Sequence, residues 1–169
     1  MKKTVLGLII LFTLFTIPFV LGIRINVTKS IPIGIYIVTN QIPQKNDYVI
    51  FCPSDIEIFY EAYKRGYINK GLCPNEYGYM MKKIVATEGD KISISKKGVE
   101  VNDSLLPFST PLLTDLQDKA LPQLNVNKIL DKDEILLMSD ISKTSFDARY
   151  FGVSNKKQIQ GVVKPILIF

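Results

Sequence analysis

From Val5 to Ile23 the chain reads VLGLIILFTLFTIPFVLGI, about 19 residues without a charge. A hydrocarbon core of about 30 Å needs roughly 20 apolar helical residues to be crossed. Lys2 and Lys3 precede the run and Arg24 follows it. Pro18 sits inside it, at a cost that membrane helices tolerate better than soluble ones. A cleaved signal peptide is the competing reading. The run is longer than the usual signal-peptide core, and Leu21-Gly22-Ile23-Arg24 offers no small-x-small cleavage site. Residues 1–23 are therefore expected to form a cytoplasmic tip and an uncleaved, single-pass anchor. Lys2 and Lys3 favour the cytoplasmic side, which sends residues 24–169 across the membrane, although Arg24 is a counter-signal.

The roughly 145 residues beyond the anchor suffice for one domain with a real core. A net charge of +5 suits proximity to anionic lipid, so the bilayer is an expected partner. The lysines are interspersed with acids rather than gathered in a stripe, which argues against nucleic acid. Cys52 and Cys73 are the only cysteines, and there is no histidine, so neither a structural zinc site nor a CxxC redox pair is expected. In an oxidising compartment the two cysteines are expected to form one disulfide closing a loop of about 20 residues, worth roughly 3 kcal/mol. No metal or cofactor is expected.

The pattern past the anchor is mainly β. Strands are expected over residues 34–38, 47–51, 80–87, 91–95, 98–102, 134–138 and 161–168, with the 91–95 and 98–102 segments forming a hairpin. One helix is expected from Ser54 to Arg65, inside the disulfide loop. Ser54 would be its cap, and Ile56, Phe59, Tyr60 and Tyr63 its apolar face. Residues 103–130 show weak periodicity and read as a long surface insertion. The segment between Arg24 and Val27 reads as an extended tether, which places Ser30 within about 25 Å of the membrane surface.

Without histidine, a serine nucleophile needs another base, and a lysine is the natural candidate. A free lysine near pKa 10.4 is protonated at neutral pH, whereas an apolar burial site lowers that value. Lys82 and Lys83 lie in the strand-like run Met80-Met81-Lys82-Lys83-Ile84-Val85. Alternation turns one of the two inward, and periodicity leaves open which. The bland reading makes both of them edge-strand lysines that discourage aggregation. Around Ser30, Thr28 lies two residues upstream, and Ile31-Pro32 and Gly34 shape a turn. In Ser145-Phe146-Asp147-Ala148-Arg149-Tyr150-Phe151-Gly152, Asp147 and Arg149 are spaced to pair and fix a turn, and Ser145 offers a hydroxyl to a buried amine.

Taken in order, three stretches resemble the type I signal peptidase family of membrane-anchored Ser–Lys endopeptidases. They are Asn26 to Tyr36, Lys82 to Asp90, and Ser145 to Gly152. The conjugative-transfer (TraF-type) branch, which matures pilin precursors, resembles the chain most. Its marks are Phe51-Cys52-Pro53, Gly71-Leu72-Cys73-Pro74 and the SFD-x-RYFG form of the last stretch. The resemblance implies a signal-peptidase-like antiparallel β-sheet or barrel domain. It also implies catalysis by Ser30 as nucleophile and Lys82 as general base, and an oxyanion hole made by the Ser30 N–H and the Thr28 hydroxyl. Ser145 would orient the lysine, and Asp147 and Arg149 would form a structural ion pair. Lys83 stands where the family has arginine, and Ala148 where serine is common.

The implied activity is cleavage of signal or leader peptides from exported precursors through an acyl-enzyme. A pre-pilin is the implied substrate, with cyclisation as a further outcome, beside a conjugation or secretion apparatus in a bacterial inner membrane. Strands 34–38 and 80–85 are expected to flank the substrate and bind it as an added strand. Three other readings remain at this level. One is a general type I signal peptidase, and another a non-catalytic, membrane-tethered assembly factor. The third, a self-cleaving repressor-type Ser–Lys protein, conflicts with the N-terminal apolar run.

Overall fold

A computed structural model describes residues 16–169. Most of the expected 1–23 anchor lies outside the described residues. Residues 16–20 are helical, and Ile23 already belongs to a strand. Among the described residues no helix is long and apolar enough to cross a membrane.

Among the described residues, eleven strands build two antiparallel sheets. The first five in chain order are β1 (Ile23–Asn26), β2 (Gly34–Thr39), β3 (Tyr48–Phe51), β4 (Met80–Ala86) and β5 (Lys91–Ser95). They are followed by β6 (Gly98–Val101), β7 (Ser104–Leu105), β8 (Val126–Ile129) and β9 (Glu134–Met138). The last two are β10 (Ser154–Asn155) and β11 (Ile159–Ile168). The larger sheet has the order β1-β2-β11-β3-β4-β9-β10 and the smaller β7-β6-β5-β8. Both orders end in open edges, so of the sheet and barrel expected from the sequence the molecule adopts open sheets.

The β5–β6 hairpin forms with Ile92 opposite Val101 and Ile94 opposite Val99. Residues 103–130 are not a mere surface insertion. They supply β7 and β8, which flank that hairpin on its two sides. Asn102 and Asp103 make the intervening turn with positive φ, a conformation these short polar residues tolerate. The expected tether is also strand: Ile23–Asn26 pairs with β2, Ile25 opposite Ile35 and Asn26 opposite Gly34. The segment before Ser30 is thus fixed to the sheet rather than spanning freely.

The long strand β11 joins the two halves of the larger sheet. It pairs with β3 through Val162 opposite Val49, and with β2 through Lys164 opposite Ile37 and Ile168 opposite Gly34. Phe169 then donates its N–H to the Ile33 carbonyl at 3.0 Å. Gly34 permits this approach, because a Cβ there would stand 2.2 Å from the Leu167 carbonyl oxygen.

Helix α1 covers Glu57–Lys64, a shorter span than expected, with Ile56 rather than Ser54 at its N-cap and no side-chain cap bond. The reason lies upstream. The Cys52 N–H is held by the Gln158 carbonyl, and Pro53 biases Cys52 away from helix, so the chain leaves β3 extended. The inward face also differs: Phe59 and Ala62 are buried, while Ile56 and Tyr60 are exposed. Cys52 and Cys73 form the expected disulfide, with S–S 2.07 Å and Cα–Cα 5.5 Å. It closes the excursion carrying α1. Phe59 packs against Phe151 at 5.0 Å between ring centroids, and Tyr67 against Phe146 at 5.5 Å. The disulfide loop is thereby fastened to a one-turn helix α2 (Ala148–Phe151) and to the residues before it.

Candidate active site

Burial along β4 alternates strictly, with Met80, Lys82, Ile84 and Ala86 inward. Of the two lysines it is Lys82 that enters the core, 1% exposed. Lys83 faces outward, where its amine donates to Asp140 at 3.0 Å. Lys82 Nζ bridges two hydroxyls, donating to Ser30 Oγ at 2.9 Å and to Ser145 Oγ at 2.8 Å. Burial pulls its pKa down to about 8; the neighbouring Asp147 carboxylate opposes that shift and Arg149 adds to it. At pH 7 roughly one molecule in ten then carries a neutral amine, against fewer than one in a thousand for a free lysine. The arrangement can deprotonate a serine hydroxyl.

Ser30 is presented by a short turn between β1 and β2. The next residue, Ile31, is fully buried, in a cluster with Tyr36, Ile50 and Val163. Tyr36 donates its hydroxyl to the Pro32 carbonyl at 2.6 Å. Inside the turn lies Asn26, which is buried. Its Nδ2 donates to the carbonyls of Thr28, Ile31 and Pro32 at 2.8, 2.9 and 3.1 Å. Its Oδ1 accepts the Thr28 N–H at 3.2 Å and the Thr28 hydroxyl at 2.9 Å. One amide therefore holds the whole turn. Thr28 itself is exposed, and its hydroxyl proton is committed to Asn26. Among the described residues no acceptor takes the Ser30 backbone N–H.

The third stretch folds around Arg149, which is fully buried with Asp147. Arg149 Nε and Nη2 grip the two Asp147 oxygens at 2.8 Å each. Its remaining N–H groups reach the carbonyls of Phe108, Lys143, Ser142 and Ser145. Asp147 also accepts the N–H of Arg149, capping α2, and the N–H of Ser139 at 3.1 Å. Ser139 in turn donates its hydroxyl to the Lys29 carbonyl at 3.3 Å. The ion pair is thus connected to both sides of Lys82: to Ser145 through a carbonyl and to the Ser30 turn through Ser139.

Two residues that support the site, Asn26 and Ser139, do not stand out in the sequence. Asn26 carries a weak signal, an Asn four residues before the serine; Ser139 carries none, because its role depends on long-range packing. Among the described residues no three His, Cys, Asp or Glu side chains converge closely enough to hold a metal ion.

In front of Ser30 and Lys82 lies a cleft of about 240 Å³. Ile25, Val27 and Thr28 line one side, Tyr79 to Lys82 the other, and Tyr67 and Phe146 close it. The expected partnership of residues 34–38 with an added strand is ruled out, because β2 is hydrogen-bonded on both edges, by β1 and β11. The free edges at the cleft belong instead to β1, which ends its sheet, and to Met80–Lys82, since β9 pairs with β4 only from Lys83 onward.

A family model described as signal peptidase, peptidase S26, matches residues 2–168. A plasmid transfer protein TraF of Escherichia coli is 45% identical over 147 residues, covering 86% of this chain and 83% of that protein. A probable conjugal transfer protein TraF of Sinorhizobium fredii is 32% identical over 150 residues, covering 88% and 78%. The crystal structure of a signal peptidase I from Enterococcus faecalis is 15% identical with a TM-score of 0.42, covering 75% of this chain and 100% of that one. That likeness is too loose to bear on the site.

Proposed function

The chain belongs to the signal peptidase S26 family, and on that premise we propose that it is a membrane-anchored serine endopeptidase working through a Ser30–Lys82 dyad. The observation that carries the proposal is the placement of a buried amine between two serine hydroxyls, Ser30 Oγ at 2.9 Å and Ser145 Oγ at 2.8 Å.

In the neutral form Lys82 donates an N–H to Ser145 and turns its lone pair to Ser30. It takes the Ser30 proton as Oγ attacks the scissile carbonyl carbon. The tetrahedral oxyanion lies toward the Ser30 N–H. Thr28 joins as second donor once its hydroxyl rotates off Asn26. As the C–N bond breaks, protonated Lys82 returns the proton to the leaving amine. A nucleophile then attacks the acyl-enzyme ester with Lys82 again as base. Water gives hydrolysis, whereas an amine of the substrate itself gives a cyclic product. Ser145 and the Asp147–Arg149 pair orient the lysine without reacting.

The substrate is a polypeptide precursor bound extended between β1 and Met80–Lys82, its backbone adding to their free edges. The conjugal-transfer relatives favour a pilin precursor over the general secretory load. The residues before β1 serve as anchor and residues 23–169 as the extracytoplasmic domain of a bacterial inner-membrane protein. The apolar run that begins at Val5 and precedes β1 supports that placement.

The test is cleavage of a pilin precursor by full-length protein in detergent. Ser30→Ala and Lys82→Ala should each abolish cleavage while near-ultraviolet circular dichroism shows an intact fold. Full cleavage by either purified variant would sink the proposal. Binding without turnover by the unaltered protein would instead identify a tethered assembly factor.

A further inference from the structure

A second cavity, of about 290 Å³, lies beyond the wall of the cleft. Its surface is mostly apolar: Leu112, Leu116 and Leu121 on one side, Tyr67, Phe146 and Tyr150 on the other. Tyr67 and Phe146 line this cavity and the Ser30–Lys82 cleft alike, so a single pair of rings separates the two spaces. Their centroids are 5.5 Å apart.

The charges at the rim are already engaged. Arg65 donates to the Ala120 carbonyl at 2.8 Å and lies 3.9 Å from the Asp115 carboxylate. Tyr67 bonds that carboxylate through its hydroxyl. Tyr150 accepts the Leu112 N–H at 3.0 Å. These groups hold the cavity's walls in place, and most of the surface left to recognise a ligand is apolar. Leu116, at the mouth, is 91% exposed. A single exposed leucine is ordinary; what marks a binding surface is the mostly apolar, aromatic-lined hollow beside it. The volume falls just below the range of pockets that hold whole small-molecule ligands and fits one large side chain.

We propose that this cavity is a second substrate pocket, taking a bulky apolar side chain of the same precursor at a position removed from the cleaved bond. Continuity with the cleft through Tyr67 and Phe146 is what commits the occupant: an extended chain leaving the cleft past this ring pair runs directly over the cavity. It advances about 3.3 Å per residue, so the recognised side chain lies a few positions from the scissile bond. The pocket is built by the disulfide excursion and the 112–121 segment together, which gives the excursion a role in choosing substrates. The proposal rests on the peptidase reading above.

The test uses full-length protein in detergent, a conjugative-pilin precursor, and the variants Leu116→Glu and Leu116→Phe. Leu116→Glu should raise the KM for the precursor about 10-fold or more with kcat unchanged, and Leu116→Phe should retain the unaltered KM. Alanine substitutions of the precursor's apolar residues, one at a time near the cleavage site, should reveal one position whose KM effect disappears in the Leu116→Glu background. If Leu116→Glu leaves KM within twofold, or raises it with no such position, the pocket proposal is overturned while the peptidase reading stands. Loss of a dimer in Leu116→Glu by mass photometry would assign the surface to a second copy and overturn it too. Failure of the unaltered protein to cleave any precursor removes both readings at once.

Discussion

Arg149 donates through Nη2 to the carbonyl of Ser145 at 2.8 Å, and the hydroxyl of the same serine receives a hydrogen bond from Lys82 at 2.8 Å. The ion pair is thus one residue away from the amine it supports. Arg149 places its donors on six acceptors, two of them Asp147 oxygens, with no solvent contact.

Arg149→Lys keeps the charge and loses the fork. Three donors cannot replace five in this geometry, and several carbonyls are left buried and unpaired. A stability loss of about 3–5 kcal/mol is expected, read as a lowered urea midpoint with an unchanged slope.

Lys82 makes stability and activity depend on pH in the same direction. The unfolded chain holds this proton up to about 10.5, whereas the folded protein releases it near 8. Between those values the unfolded state binds more protons, so stability rises with pH; below 8 both states are protonated and the full penalty of a buried charge is present. Lys82→Met should therefore raise stability at pH 7, by on the order of 1–3 kcal/mol after the lost hydrogen bonds, and flatten the rise from 8 to 10.5. In the unaltered enzyme kcat/KM should climb with an apparent pKa near 8. A flat stability profile in the unaltered protein would contradict this account.

Asn26→Asp is the sharpest test of the turn that presents Ser30. It places an oxygen against three carbonyls that now receive the Asn26 amide. A kcat lowered about 10-fold or more is expected, with KM little changed and Tm down by a few degrees. If kcat holds, the turn does not depend on this amide.

Replacing both cysteines by serine should lower stability by about 3 kcal/mol, given their sequence separation of 21. Reductant should produce the same drop in the unaltered protein and none in the Cys52→Ser/Cys73→Ser variant, measured as Tm by differential scanning fluorimetry. A variant as stable as its parent would mean the ring contacts alone hold the excursion.

What the sequence made legible was local. The alternation from Met80 to Ala86 already turned one lysine inward, and the two-residue spacing of Asp147 and Arg149 already suited an ion pair. The β5–β6 hairpin could be read from KISIS and GVEVN around a glycine. What escaped was set by partners far away in the chain. Val126–Ile129 becomes strand because β5 offers it an edge, although its own pattern is weak. Residues 23–26 look like a tether until β2 pairs with them. Ser54 has the chemistry of a cap, but the sheet bond and disulfide at Cys52 and the following Pro53 delay the helix past it.

The pairing of β11 with β2 has a temporal side. Residues 167 and 168 lie against Ile35 and Gly34, and Phe169 closes onto Ile33, three positions past the serine. The segment synthesised early is therefore completed by one synthesised far later. A chain that lacks its last strand has the serine turn and its Asn26 bonds but not the β11 edge behind β2. On the peptidase reading, the turn that carries Ser30 would gain its full support only once this distal strand has docked.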